Sequence, residues 1–132
     1  MNNNTLTLAM ALADIKAAQS ALRIYEDEGL REIKGLCAYH IQQAFEKMLK
    51  IQLYQSKKEL DNTRIYRHSI QQLIDYGREL KIEMVTGKYL EDNAEIITDW
   101  EASGRYDIRF STKVTTLRKA IKEAETLYSQ LK

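Results

Sequence analysis

The second helical pattern of this sequence carries four polar side chains that could act together on a ligand. His40, Gln43, Lys47 and Lys50 follow one another at intervals of three or four residues, so a helix turning about 100° per residue places them along one strip. A histidine and a lysine two turns apart, with an amide donor between them, could grip a phosphate or a sugar. The alternative is structural, because polar residues beside a buried stripe often serve solvation and such a histidine often makes one hydrogen bond within the fold.

Three further residues are candidates for binding an anion. Arg105 and Tyr106 adjoin each other where the fourth helical pattern ends, and a guanidinium beside a phenol offers paired hydrogen bonds to a phosphate and a flat face for a base. Alternatively, Arg105 caps helix carbonyls or pairs with Asp107, and Tyr106 closes the core. His68 precedes the third helix, where the helix dipole favours a neutral imidazole and a nearby anion; a capping role is an equal alternative.

The sequence predicts no metal site, no cofactor and no familiar catalytic motif. One cysteine, Cys37, and two histidines cannot form a closed zinc site, and a single thiol forms no internal disulfide. Cys37 suits a small core position, with no basic neighbour in helical register to activate it. The sequence contains none of the patterns G-x-G-x-x-G, G-x-x-x-x-G-K-S/T, H-E-x-x-H and G-x-S-x-G. Since the net charge is only +1, any binding of nucleic acid must come from a local patch.

Helices must position these side chains. The chain has no proline and only five glycines, which permits long helices, and no strand pattern competes. Apolar residues spaced by three, four or seven predict five amphipathic helices, over residues 8–25, 37–51, 70–80, 90–100 and 114–131. Each apolar stripe must be covered by a neighbouring helix. We therefore expect an all-α fold, an up-and-down bundle of about five helices that forms a single domain over residues 1–132.

Capping and breaking residues give the expected helix ends. The polar stretch from Gln55 to Asn62 is expected to be a connecting loop. The residues expected to cap or end helices are Thr5 and Gly29 for the first, Ser103 and Gly104 for the end of the fourth, and Ser111 or Thr112 for the start of the last.

The first thirteen residues lack the basic segment of a signal peptide and lead directly into an amphipathic pattern. We therefore expect neither a signal peptide nor a membrane span. A lone cysteine favours a reducing compartment, so the expected location is the cytoplasm.

The second helical pattern contains the motif H-x-Q-Q-A-x-E-K-x-L-K, formed by His40, Gln42, Gln43, Ala44, Glu46, Lys47, Leu49 and Lys50. Three further blocks accompany it: Asp14 and Ala17 on the first helix, His68 before the third, and Arg105-Tyr106-Asp107 after the fourth. In motif, order and spacing the sequence resembles the HEPN domain, a small helical module of prokaryotic proteins that occurs at the C-terminus of some large eukaryotic ones. The likeness spans nearly the whole chain.

The resemblance implies two kinds of activity. Many HEPN proteins are metal-independent ribonucleases in which four to six residues separate an arginine from the histidine that follows it, the two side chains meeting across a dimer interface. Here Arg64 and His68 are separated by only three residues, and no histidine follows Arg105, so that arrangement is missing in its standard form. Other members, which the Q-Q-A-x-E-K pattern resembles more, are paired with a minimal nucleotidyltransferase in toxin–antitoxin systems, and members are proposed to bind nucleotides.

The leading hypothesis is a cytoplasmic HEPN homodimer that binds a nucleotide or an RNA end and docks a nucleotidyltransferase partner. Its expected ligand-binding residues are His40, Gln43, Lys47, His68, Arg105 and Tyr106. The alternative is a ribonuclease with a non-standard arrangement, whose catalytic candidates would be His40, His68, Arg64 and Arg105. A dimer without a ligand is the third possibility, because a fold alone does not specify a function.

Overall fold

The predicted apolar stripes become helices that pack around the second one. The computed structural model describes residues 6–106 and 112–132, without the side chains of Arg105 and Tyr106. Over these residues the chain forms seven helices and no strand, which confirms the all-α class. The helices are α1 (Leu8–Glu28), α2 (Glu32–Gln55), α3 (Asn62–Ile65), α4 (Ile70–Glu79), α5 (Lys88–Asp92), α6 (Ala94–Tyr106) and α7 (Val114–Leu131).

Five of these helices correspond to the expected patterns, and the other two are single turns. Gly29 ends α1 as expected: it takes a left-handed φ of 69°, and its N–H donates to the carbonyl of Tyr25 at 2.8 Å. Thr7 is the N-cap of α1, whereas the expected cap, Thr5, lies outside the described residues. The short α3 was not expected; the carboxylate of Asp61 caps it by accepting from the N–H of Thr63.

The expected end of the fourth helix is wrong, and its pattern forms two helices instead of one. The fourth pattern divides at Asn93 into α5 and α6, and α6 then continues through Ser103 and Gly104. Gly104 does not break the helix because it is packed: it crosses Gly35 of α2 so closely that a Cβ added to either glycine would overlap the carbonyl oxygen of the other. Tertiary packing thus overrides the helix-breaking tendency of glycine.

The start of the last helix also differs from expectation. Lys113 occupies the N-cap position of α7, with no hydrogen bond from its side chain. Thr112 is therefore not the cap, and Ser111 lies outside the described residues.

The central helix is α2, which packs against α1, α4, α6 and α7. Because neighbours surround it, α2 buries side chains in nearly every direction rather than along one stripe. Its fully buried apolar residues are Cys37, Ala38, Ile41, Ala44, Phe45, Met48, Leu49 and Leu53. The pairing of Lys34 with the ring of Tyr25 at one end, and of Lys47 with Asp14 further along, shows that α1 and α2 run antiparallel.

A glutamine attaches the segment between α4 and α5 to this central helix. The amide of Gln52 donates to the carbonyl of Val85 at 2.8 Å and accepts from the N–H of Val85 at 2.6 Å.

Among the helices described, none combines the length and the apolar character needed to span a bilayer.

Candidate functional site

A carboxylate from α1 holds two of the predicted site residues of α2. Asp14 accepts from Nδ1 of His40 at 2.8 Å with one oxygen and from Nζ of Lys47 at 2.6 Å with the other. Its side chain is 13% exposed, against 30% for His40 and 21% for Lys47. Because a carboxylate only accepts, Nδ1 carries the proton in this bond, and Nε2 remains for a second partner. The ring of Tyr39 packs edge-on against that of His40, with 5.1 Å between centroids.

Neutral amides continue the chain of contacts along α2. Lys47 donates to the side-chain oxygen of Gln43 at 3.4 Å, Gln43 donates to Gln42 at 2.7 Å, and Gln42 donates to Glu46 at 2.9 Å. Gln42 is fully buried. Each of these amides has a partner inside the protein, which burial of a polar group requires.

A second carboxylate, Glu46, holds the other end of the strip. Lys50 donates to it at 2.9 Å, and Nδ1 of His68 lies 3.1 Å from each of its oxygens. Burial opposes the charge of Glu46, but hydrogen bonds from Gln42 and Lys50, the Lys50 charge and the contact with His68 outweigh it. The pKa of Glu46 is therefore lowered from its usual 4.5. His68 itself is 63% exposed, so it reaches Glu46 from the surface.

These contacts form one connected group, which we call the α2 polar network. It contains two carboxylates and two ammonium groups, so its formal charge is zero when both histidines are neutral, and each protonated histidine adds one positive charge. Its members are Asp14, His40, Gln42, Gln43, Glu46, Lys47, Lys50 and His68.

The structure brings together four of the six expected ligand-binding residues: His40, Gln43, Lys47 and His68. The other two, Arg105 and Tyr106, end α6, and their side chains lie outside the described part of the structure. The residue before them, Gly104, packs against the backbone of α2 at Gly35 and Tyr39, and Tyr39 directly precedes His40 of the network.

Arg64, a candidate for the ribonuclease alternative, forms its contacts outside the α2 polar network. Its guanidinium donates to both oxygens of Glu79, at 3.0 and 2.8 Å, and lies 4.4 Å from the centre of the Tyr76 ring. These contacts attach α3 to α4. The geometry therefore gives Arg64 a structural role, whereas His68, four residues later, contacts Glu46.

The expected ligand residues left out Asp14, Gln42 and Glu46, three polar residues on which the network depends. Glu46 and Gln42 lie one helical turn apart, and Asp14 stands between the buried Ala11 and Ile15. A polar residue inside an otherwise buried helical face was the available signal, since such a group is retained only with partners. All three residues belong to the blocks that resemble the family, but that resemblance does not by itself indicate that they anchor the basic residues.

The thiol and the grouping of metal-ligating side chains complete the description of the polar groups. Cys37 is fully buried, and burial raises the pKa of its thiol to about 12, so it is protonated at neutral pH. Among the described residues, no three histidine, cysteine, aspartate or glutamate side chains are grouped so that they could hold a metal ion.

Comparison with known proteins identifies the family. Neither the search of curated proteins nor the search of solved structures returned a match to the chain. The family model of the HEPN domain matches residues 6–132, a range that includes every member of the α2 polar network. The order of helices, the network built on the α2 signature and this match over nearly the whole sequence together show that the chain belongs to the HEPN family.

Proposed function

We propose that this HEPN protein binds a nucleotide or an RNA end at the α2 polar network and is the partner of a minimal nucleotidyltransferase in a two-component, toxin–antitoxin type system. The family is one of nucleotide-binding and ribonuclease-type domains, which supports a phosphate-bearing ligand. The sequence pattern of α2 supports the pairing with a nucleotidyltransferase, and a gene for such an enzyme beside this one would strengthen it.

The observation that carries the proposal is that four basic side chains are held side by side by two largely buried carboxylates. Replacing buried ionic groups with apolar ones is often neutral or stabilising, so a network of this kind is weakly explained by stability alone. His40, Lys47 and Lys50 are between 12% and 30% exposed. They are therefore fixed in position and still accessible from solvent.

The fixed cations keep donors for a ligand. An ammonium group has three N–H donors, and Lys47 uses two of them on Asp14 and Gln43, while Lys50 uses one on Glu46. The Nδ1 atoms of both histidines face carboxylates, which leaves each Nε2 for an outside partner. A phosphate placed on this strip would accept charge-assisted hydrogen bonds from the two lysines, and from Nε2 of a histidine in its protonated form, without breaking the internal ones.

Binding of a nucleotide and of a short single-stranded RNA, measured by titration calorimetry, tests the proposal. Lys47→Ala and Arg105→Ala should each weaken binding by about 1.5 to 3 kcal/mol, because each removes an ionic donor. Lys88→Ala is the matched control, since Lys88 also pairs with an aspartate, Asp92, but is 89% exposed and lies on α5. Absence of affinity in the unmodified protein, or equal losses in the control, would count against the proposal.

A second candidate function, cleavage of RNA, is favoured by one feature: the bond between Asp14 and His40. It fixes the imidazole with Nε2 available as a base, as acid–base chemistry requires. The arginine-to-histidine spacing of the family's ribonucleases is missing, so we expect no cleavage by the unmodified protein.

Incubation with labelled structured and single-stranded RNA separates the two functions. Cleavage that disappears in His40→Ala or His68→Ala would replace the binding function with a ribonuclease. If the protein shows neither cleavage nor measurable affinity, the third possibility remains, which is a structural dimer without a ligand.

A further inference from the structure

A groove between α1 and α7 lies apart from the α2 polar network and has its own chemistry. Its volume is about 320 Å³, at the lower end of the range for small-molecule sites. Its floor is apolar, formed by Leu22 and Ile121, which are 6% and 7% exposed. The other lining residues are polar or charged: Gln19, Arg23, Glu26, Arg118, Lys122 and Glu125.

Two contacts between the helices close the ends of this groove. Gln19 of α1 donates to Glu125 of α7 at one end, and Arg118 of α7 pairs with Glu26 of α1 at the other. The two contacts are seven residues apart on each antiparallel helix, which corresponds to about 10 Å at the rise of a helix. A groove closed at both ends and this short suits a compact molecule rather than a continuing polymer.

Two basic side chains line the middle of the groove. Arg23 and Lys122 are exposed on α1 and α7, in the same interval as Leu22 and Ile121. Within the described part of the chain neither of them forms an ion pair, whereas Arg118 pairs with Glu26 and Glu125 accepts a hydrogen bond from the neutral amide of Gln19. The lining as a whole, with three cations and two carboxylates, carries one net positive charge. Two unpaired cations above an apolar floor, with this net positive charge, complement a molecule with an apolar body and an anionic group.

We propose that the α1–α7 groove binds a small amphipathic organic anion, with its apolar body on Leu22 and Ile121 and its carboxylate, sulfonate or phosphate between Arg23 and Lys122. This site is separate from the α2 polar network and does not depend on the function proposed for it.

A pair of fluorescent probes tests the charge requirement. Anilinonaphthalene sulfonate has an aromatic body and one anionic group, and N-phenyl-1-naphthylamine has nearly the same body without the charge. We expect the sulfonate to bind saturably, with one molecule per chain, and the neutral probe to bind at least about tenfold more weakly, a difference of about 1.4 kcal/mol. Equal affinity for the two probes would overturn the proposal.

Charge-removing variants locate the site. Arg23→Gln and Lys122→Gln should each weaken binding of the sulfonate about fivefold or more, and the double variant further, since each removes one donor to the anion. Lys16→Gln and Lys119→Gln, exposed on the same two helices, are the matched controls and should leave the affinity unchanged. Thermal unfolding of each variant establishes that the fold is intact, because partly unfolded chains also bind this probe.

Three other outcomes would contradict the groove as the site. If Lys47→Ala abolished binding while the Arg23 and Lys122 variants did not, the anion would lie on the α2 polar network. If the affinity fell as the protein concentration rose, a second copy of the chain would cover the groove. If no probe bound the folded protein, the groove would not be a site for such anions.

Discussion

Glu46 shows how a single buried charge is kept in this domain. Only 9% of its side chain is exposed, yet its pKa is below the usual value because Gln42, Lys50 and His68 together outweigh the cost of burial. Lys50 contacts it from the same helix, α2, and His68 contacts it from the segment between α3 and α4. The carboxylate is thus an electrostatic link between two elements as well as a member of the candidate site.

This link predicts a specific dependence of stability on pH. A carboxyl with a lower pKa in the folded chain stabilises the fold fully above its unfolded pKa, near 4.5, and this contribution is lost as the pH falls through the folded pKa. Glu46→Gln should therefore lower the free energy of unfolding at neutral pH by about 1 to 3 kcal/mol. It should also reduce the further loss of stability below pH 4.5. Urea unfolding at a series of pH values measures both effects.

Glu79→Gln is the matched control for this prediction. Glu79 also has a lowered pKa because it pairs with Arg64, but its side chain is 58% exposed, so solvent screens the pair. If Glu79→Gln reduces the loss of stability below pH 4.5 as much as Glu46→Gln does, burial is not the reason why Glu46 stabilises the fold.

The candidate site was predictable to the extent that helical geometry is local. The positions of His40, Gln43 and Lys47 on one strip follow from their spacing along α2 alone. Their pairing with Asp14 does not, because it depends on how α1 packs beside α2, and no local spacing encodes that contact. Polar residues that face inward were for this reason harder to assign than those that face outward.

At the scale of elements, the crossing of α2 and α6 is set by two glycines. The five long helices could be predicted because each has a sustained apolar period. The break at Asn93 and the continuation of α6 through Gly104 could not be predicted, since a glycine reads as a helix end unless its packing partner is known. The partner, Gly35, is 69 residues away in the sequence.

Substitution at this crossing should be costly. We expect Gly35→Ala to lower the free energy of unfolding by about 2 kcal/mol or more, because the added methyl group meets the backbone of Gly104, which cannot rotate away. Gly29→Ala is the control: its surroundings are open and it bears only the strain of a left-handed φ, about 1 kcal/mol. Equal midpoints of urea unfolding for the two variants would contradict the tight crossing.

At the scale of the whole molecule, we predict a homodimer. Several large apolar side chains remain exposed on the chain: Met10, Ile24, Leu30, Leu36, Tyr66 and Ile96. A two-fold interface would cover part of this surface, as the family resemblance also implies. Light scattering should give twice the 15.4 kDa mass of the chain. A monomeric mass at micromolar concentration would contradict the dimer and any ligand site shared between two protomers.

We also predict that ligand binding needs no divalent metal. His40 and His68 each direct Nδ1 to a carboxylate of the α2 polar network, and the two carboxylates belong to different parts of it. Chelation with EDTA should leave the calorimetric affinity for a nucleotide unchanged. Loss of affinity that one particular metal restores would show that the network serves a metal-bound ligand.

The contact between Gly35 and Gly104 also limits which insertions and deletions the sequence can tolerate. One residue inserted in α6 before Gly104 would turn that glycine by about 100° away from α2 and bring a side chain to the crossing. The same insertion would turn Arg105, the next residue, by the same angle around the helix axis. Insertions and deletions within α6 should therefore be selected against, and variation in length should accumulate in the connections between helices.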